Sequence, residues 1–160
     1  MNNRTCGDCR LCCKVFELPY LNKPAHTWCV HACSKGCAIY DRERHEVCKV
    51  YKCLWLSNES LPDEYRPDRC GVLVTYRLDY KGKPVVVVSE SYASASSNNK
   101  RGARLIELLA QSEAMVFVAQ HNCLRLRAYL PDDWTSGDVD LMLKAVQDDT
   151  AKALAEMKGN

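Results

Sequence analysis

A chain of 160 residues and 18.1 kDa is long enough to bury a core without staples. Its 22 Lys and Arg against 20 Asp and Glu leave a net charge of +2, which supplies no global field for nucleic acid or an anionic membrane. The polar start, Met-Asn-Asn-Arg-Thr-Cys, offers no signal-peptide core, and nowhere do about 18 apolar residues run together, so a soluble cytoplasmic protein without a membrane span is expected.

Nine of the eleven cysteines fall within the first 53 residues. An odd count, with Cys12 and Cys13 adjacent, fits a disulfide framework poorly, and cytosolic thiols stay reduced. Clustered thiolates bind soft metals instead. Cys6, Cys9 and Cys12 recur every third residue, so one tight loop can turn three sulfurs inward while Cys13 points elsewhere. Cys29, His31, Cys33 and Cys37 form a second set, and Cys48 and Cys53 close the region. Apart from Val15, Phe16 and Leu18 and a short helix expected around 42–51, residues 1–61 show little apolar periodicity. Such a lobe has difficulty building a core alone, and a structural metal would supply on the order of 10 kcal/mol or more of folding free energy.

Residues 62–69 are polar with two prolines and read as a connector into a second lobe, 62–160, that packs with the first as one unit. Residues 71–78 and 84–89 are rich in β-branched side chains and flank a glycine-containing turn, which predicts a hairpin. A Ser/Asn-rich loop is expected over 89–99, a helix over 101–112 and two strands over 115–120 and 123–130, joined through His121 and Asn122. After a break at 131–134, Thr135 is placed to cap a last helix with Asp138 three residues on and Val139, Met142, Leu143, Val146, Ala153, Leu154 and Met157 on one stripe. The expected fold class is therefore α+β: a cysteine-rich, metal-organised lobe packed on a small, mainly antiparallel four-stranded sheet with two helices.

Four ligands hold one tetrahedral zinc or one [4Fe-4S] cube, so nine cysteines and His31 suffice for up to two sites. Residues 1–53 carry nine Lys or Arg and five Asp or Glu, a difference of +4. Two four-thiolate sites at about −2 each would bring the segment near zero, whichever metal is held.

The ordered motifs resemble the zinc- or iron-chelating domain family named for its Cys-x-x-Cys-x-x-Cys-Cys signature. The resemblance rests on Cys6 to Cys13, on Lys23, Pro24 and Ala25 with Trp28, Cys29 and His31, and on Gly36, Cys37, Ile39 and Tyr40. It continues through Cys48, Cys53 and Trp55, and weakly through Arg66, Pro67 and Asp68. Where the family pattern has Arg-Pro ahead of the next cysteine, this chain has Arg44 and His45 with one extra residue. The resemblance implies zinc or iron held by Cys6, Cys9, Cys12, Cys13, Cys29, Cys37, Cys48 and Cys53, but no reaction. Related modules accompany methyl transfer in flagellin lysine methylases, yet no Gly-rich nucleotide loop is present here.

The leading expectation is a metal-binding protein holding zinc or an iron-sulfur cluster in a structural, storage or electron-transfer role. A metal-dependent enzyme of redox or methyl-transfer chemistry, or a zinc-shaped protein-interaction module, are the alternatives. His31 is expected to support a ligand sulfur, Cys33 lies outside the family core, and Cys70 and Cys123 are expected to pack beside strands. Trp28 and Trp55 are placed to shield a metal from water, and Trp134 to anchor packing. Lys100, Arg101 and Arg104 read as a solvated basic turn, and the serine loop lacks the Gly-x-Ser-x-Gly elbow of a hydrolase.

Overall fold

The first 70 residues form only short pieces, because nothing in their sequence sustains an amphipathic period. The computed structural model, which describes residues 4–112, 114–119 and 126–158, shows them in chain order. They are α1 (Leu11–Val15), a 3-10 turn (Pro19–Leu21), the two-residue strands β1 (Ala32–Cys33) and β2 (Gly36–Cys37), α2 (Glu46–Val50), α3 (Leu54–Ser57), a second 3-10 turn (Asp63–Tyr65) and α4 (Pro67–Cys70). Helices of four or five residues are not stable alone, so they depend on what they pack against.

The scaffold begins at β3 (Val72–Tyr80) and β4 (Lys83–Glu90), antiparallel from Val72↔Glu90 to Tyr80↔Lys83. Lys81 and Gly82 between them have φ of 51° and 76°, the positive values that a two-residue turn matched to strand twist requires. A short helix α5 (Ala95–Asn98) and a longer α6 (Lys100–Gln111) then lead to β5 (Met115–Ala119), and β6 (Leu126–Tyr129) follows. The sheet order is β3-β4-β5-β6.

Two expectations are corrected here. The sheet is mixed, because β4 and β5 pair in parallel from Val85↔Met115 to Ser89↔Ala119. The intervening α5 and α6 carry the chain back so that β5 starts at the same end as β4, which a tight turn could not do. The expected serine loop holds α5, with Ala95 and Ser96 buried and Ser96 donating from its N–H to Glu90 at 2.9 Å. Short helices beyond the two expected also appear throughout the first segment. The turn at His121 and Asn122, and Cys123, lie outside the described residues.

Strand alternation divides the sheet into two faces. Val72, Val74, Val86, Val88, Val116 and Val118 pack with Leu105 and Ile106 of α6. The opposite face is shared. At β3, Leu73 packs with Leu11, Val15, Cys53, Trp55 and Leu56 of the cysteine-rich segment. Farther across, Val85, Met115 and Phe117 pack on Met142 of α7 (Ser136–Lys158), with Tyr80 and Trp134 beside them. Thr135 caps α7 as expected: its N–H donates to Asp138 at 3.1 Å and its hydroxyl accepts from the Asp138 N–H at 3.3 Å. The side chains of Val146, Ala153, Leu154 and Met157 lie outside the described residues. Among those described, no helix is long and apolar enough to cross a membrane.

Candidate metal centre

The short elements of the first segment wrap a space. With one face of β3 they enclose a cavity of about 690 Å³, lined by Cys6, Cys9, Cys12, Cys13, Cys29, Cys37, Cys48 and Cys53. Those eight are all the cysteines that the signature motifs mark, delivered by the loop into α1, by α1 itself, by the stretch before β1, by β2, by α2 and by the N-cap of α3. His31 also lines the cavity. The ten described cysteines are free thiols.

Cysteines outside the motifs stand apart. Cys33 lies on β1 away from the cavity wall, its carbonyl accepting from Arg10 Nη1 at 2.8 Å. Cys70 is fully buried in the core and its thiol donates to the Tyr65 carbonyl at 3.3 Å, the packing role expected of it.

Two local devices hold the thiols in place. Gly36, at φ 118°, leaves no room for a side chain, since a Cβ there would meet the Gly7 carbonyl oxygen at 2.4 Å. That close approach lays Cys37 against the loop carrying Cys6 and Cys9. Arg66 grips Asp68 through Nε and Nη2 at 2.7 and 2.6 Å and pairs with Asp8 at 2.9 Å. Asp8 sits between Cys6 and Cys9, and Pro67 lines the cavity. The weakest of the motif matches, Arg66 to Asp68, is therefore a clasp on the loop. The Cys9 sulfur also accepts from the backbone N–H groups of Leu11 and Asp68.

Burial pushes the Cys9 thiol up to about 12 and raises Cys6, Cys37 and Cys53. Cys12 and Cys13 share a hydrogen bond between their thiols that raises Cys12 and lowers Cys13, with Lys23 and Arg10 adding to the fall. Metal ligation at such sulfurs would displace protons and need nearby positive charge. Lys23 is 6% exposed and donates to the carbonyls of Phe16, of Lys14 at 3.2 Å and of Pro24 at 3.1 Å. Arg44 stacks on Tyr40 at 3.7 Å and donates to the Cys48 carbonyl at 3.2 Å.

The walls also carry hydrogen-bond donors without protein acceptors. Arg44 Nε, Arg77 Nε and Trp55 Nε1 are buried without a partner, and all three residues line the cavity. Buried orphan donors are uncommon and call for an acceptor. One tyrosine addresses a sulfur directly: the Tyr20 hydroxyl lies 3.3 Å from Cys48 Sγ. His45 is exposed and stacks on Tyr20 at 3.5 Å on the cavity rim.

Tyr20, Thr75 and Arg77 escaped sequence reading, because they come from segments with no cysteine spacing to flag them, and Arg44 and Tyr51 were passed over beside Cys48. Tyr40 was visible only as a motif position. Of the two tryptophans, Trp55 is buried in the wall as expected. Trp28 is 51% exposed and does not line the cavity; it carries Arg10 and Lys14 over its ring at 5.1 and 5.6 Å, which corrects the expectation of a shield. Lys100, Arg101 and Arg104 are solvated: Arg104 pairs with Glu107 at 3.1 Å, and the Asn99 side chain caps α6 by accepting from Arg101 N–H.

Among the described residues, no three Cys, His, Asp or Glu side chains come together closely enough to chelate a single metal ion. The thiols surround a volume. No family model, no curated protein and no solved structure matches this chain.

Proposed function

We propose that this chain is an iron-sulfur protein whose eight cavity cysteines hold [4Fe-4S] clusters, in a structural, storage or electron-transfer role, as a member of the zinc- or iron-chelating family that its motifs resemble. One observation carries the reading. Eight cysteines from separate short segments line a single cavity of about 690 Å³, while Cys33 and Cys70 stay out of it. Zinc draws four thiolates to about 2.3 Å, hence within about 4 Å of one another, a closeness that no three of these described sulfurs share. A cube of four irons and four sulfides is a far larger guest and takes the same four thiolates. Its sulfides accept hydrogen bonds, which suits the orphan donors of Arg44, Arg77 and Trp55. Such bonds tune cluster potential.

A metal-dependent enzyme is the second reading, favoured by the wall that β3 contributes. Thr75 and Arg77, with Tyr51 bonded to Thr75 at 3.0 Å, add polar groups to an otherwise apolar cavity of a size usual for small-molecule sites.

Purification without oxygen tests the first reading. The protein should be brown, with iron and acid-labile sulfide in equal amounts. A colourless protein with stoichiometric zinc overturns the iron assignment, and a folded, metal-free protein under reducing conditions overturns metal binding altogether.

A further inference from the structure

Resting on that reading, we infer that the eight thiols form two four-cysteine sites whose membership departs from chain order. Cys6, Cys9, Cys12 and Cys53 make one site, and Cys13, Cys29, Cys37 and Cys48 make the other. Chain order alone would group the four cysteines of the first motif, Cys6 to Cys13, and leave the last four together.

The packing separates them. Cys6, Cys9 and Cys12 lie against one apolar cluster that contains Cys53, built from Leu11, Val15, Trp55, Leu56 and Leu73, and Cys13, Cys29, Cys37 and Cys48 are absent from it. The second group has its own ties. The Cys29 N–H donates to the Cys13 carbonyl at 3.0 Å, and Tyr20 bonds Cys48 at 3.3 Å.

The seam lies between Cys12 and Cys13, which are neighbours in the chain. Both are on α1, where neighbouring side chains leave the axis about 100° apart, so one residue can serve each side. Exchanging one cysteine between sequence runs is also how two-cluster ferredoxins are wired.

Anaerobic reconstitution of the full chain with ferrous iron and sulfide, followed by iron and sulfide counts, tests the grouping. The unmodified protein should take up about eight irons, four per site. Doubles within one proposed site, Cys9→Ala with Cys53→Ala or Cys13→Ala with Cys29→Ala, should each keep half the iron. Doubles across sites, Cys9→Ala with Cys13→Ala or Cys48→Ala with Cys53→Ala, should keep almost none. The reverse pattern would overturn the grouping and leave the iron-sulfur reading standing, as would an unmodified protein that saturates at half the expected iron. Failure to take up any iron, with zinc bound instead, would overturn the reading on which the grouping rests.

Because a double variant may misfold, the unmodified protein supplies a second measurement. Half-loaded protein is alkylated and the modified thiols are mapped by mass spectrometry. Cys6, Cys9, Cys12 and Cys53 should become modified as one set and Cys13, Cys29, Cys37 and Cys48 as the other. Sets that follow chain order would refute the division.

Discussion

The two halves of this molecule obtain their order differently. From Val72 onward, valines alternate across strands and bury against α6 on one face and α7 on the other, so the chain organises itself through apolar area. Ahead of it, a segment of short helices and turns is arranged around a cavity, and Leu11, Val15, Trp55 and Leu56 are the buried side chains by which it packs on Leu73. The comparison teaches that a polar, cysteine-dense stretch of short elements can be arranged against a finished sheet that supplies one wall.

Stripping the proposed metal is the strongest way to break the comparison. With a structural site worth on the order of 10 kcal/mol, metal removal should unfold the cysteine-rich segment and leave the sheet intact. Limited proteolysis should then cut within residues 4–60 while 72–119 stay protected; uniform protection would mean that both halves stand on packing alone.

Leu73 is the residue on which the halves meet, 1% exposed between sheet and cysteine segment. Replacing Leu73 with Ala should destabilise the protein by about 2–5 kcal/mol in denaturant melts and also reduce metal content.

Cys70 sharpens the contrast between thiols. Burial raises it from the ordinary 9.0 to about 11. A raised thiol favours the folded state below pH 9, and that contribution is lost as pH climbs through about 11, since the folded form then holds a proton that the unfolded form has released. The scaffold should lose about 2–3 kcal/mol across that window, a dependence that Cys70→Ala removes without changing metal content. Urea melts at stepped pH would detect it, and an unchanged pH profile in the variant would contradict it.

The smallest effect belongs to the helix cap. Asn99 accepts from the N–H groups of Arg101 and Gly102, and Asn99→Ala should lower stability by about 1 kcal/mol in the same melts. Metal content should not move; a change there would show that α6 reaches the cavity after all.

Much of this was legible in the residues. β-branched runs around a glycine gave the hairpin, the apolar period gave α6, and Thr135 with Asp138 gave the start of α7, because each signal acts over a few residues. The parallel ladder was not legible, since strand direction depends on where a crossover returns the chain. Spacing set nine clustered cysteines apart from Cys70, and the family resemblance implied the eight of them that line the cavity. It could not find Tyr20, Arg44 or Arg77, whose relation to the cysteines exists only after distant segments are brought together. It also misplaced Trp28, whose neighbour Cys29 lines the cavity while the indole lies outside under Arg10 and Lys14.

Sequence by itself marked the eight cysteines that line the cavity together, because chain spacing and the ordered motifs already limit how far apart they lie. Only the tertiary structure decided that the eight share one cavity, that β3 closes it, and which neighbour each thiol keeps. Cys53 reaches the first loop through the packing of α3 on Leu73, a contact across the fold that no local pattern encodes.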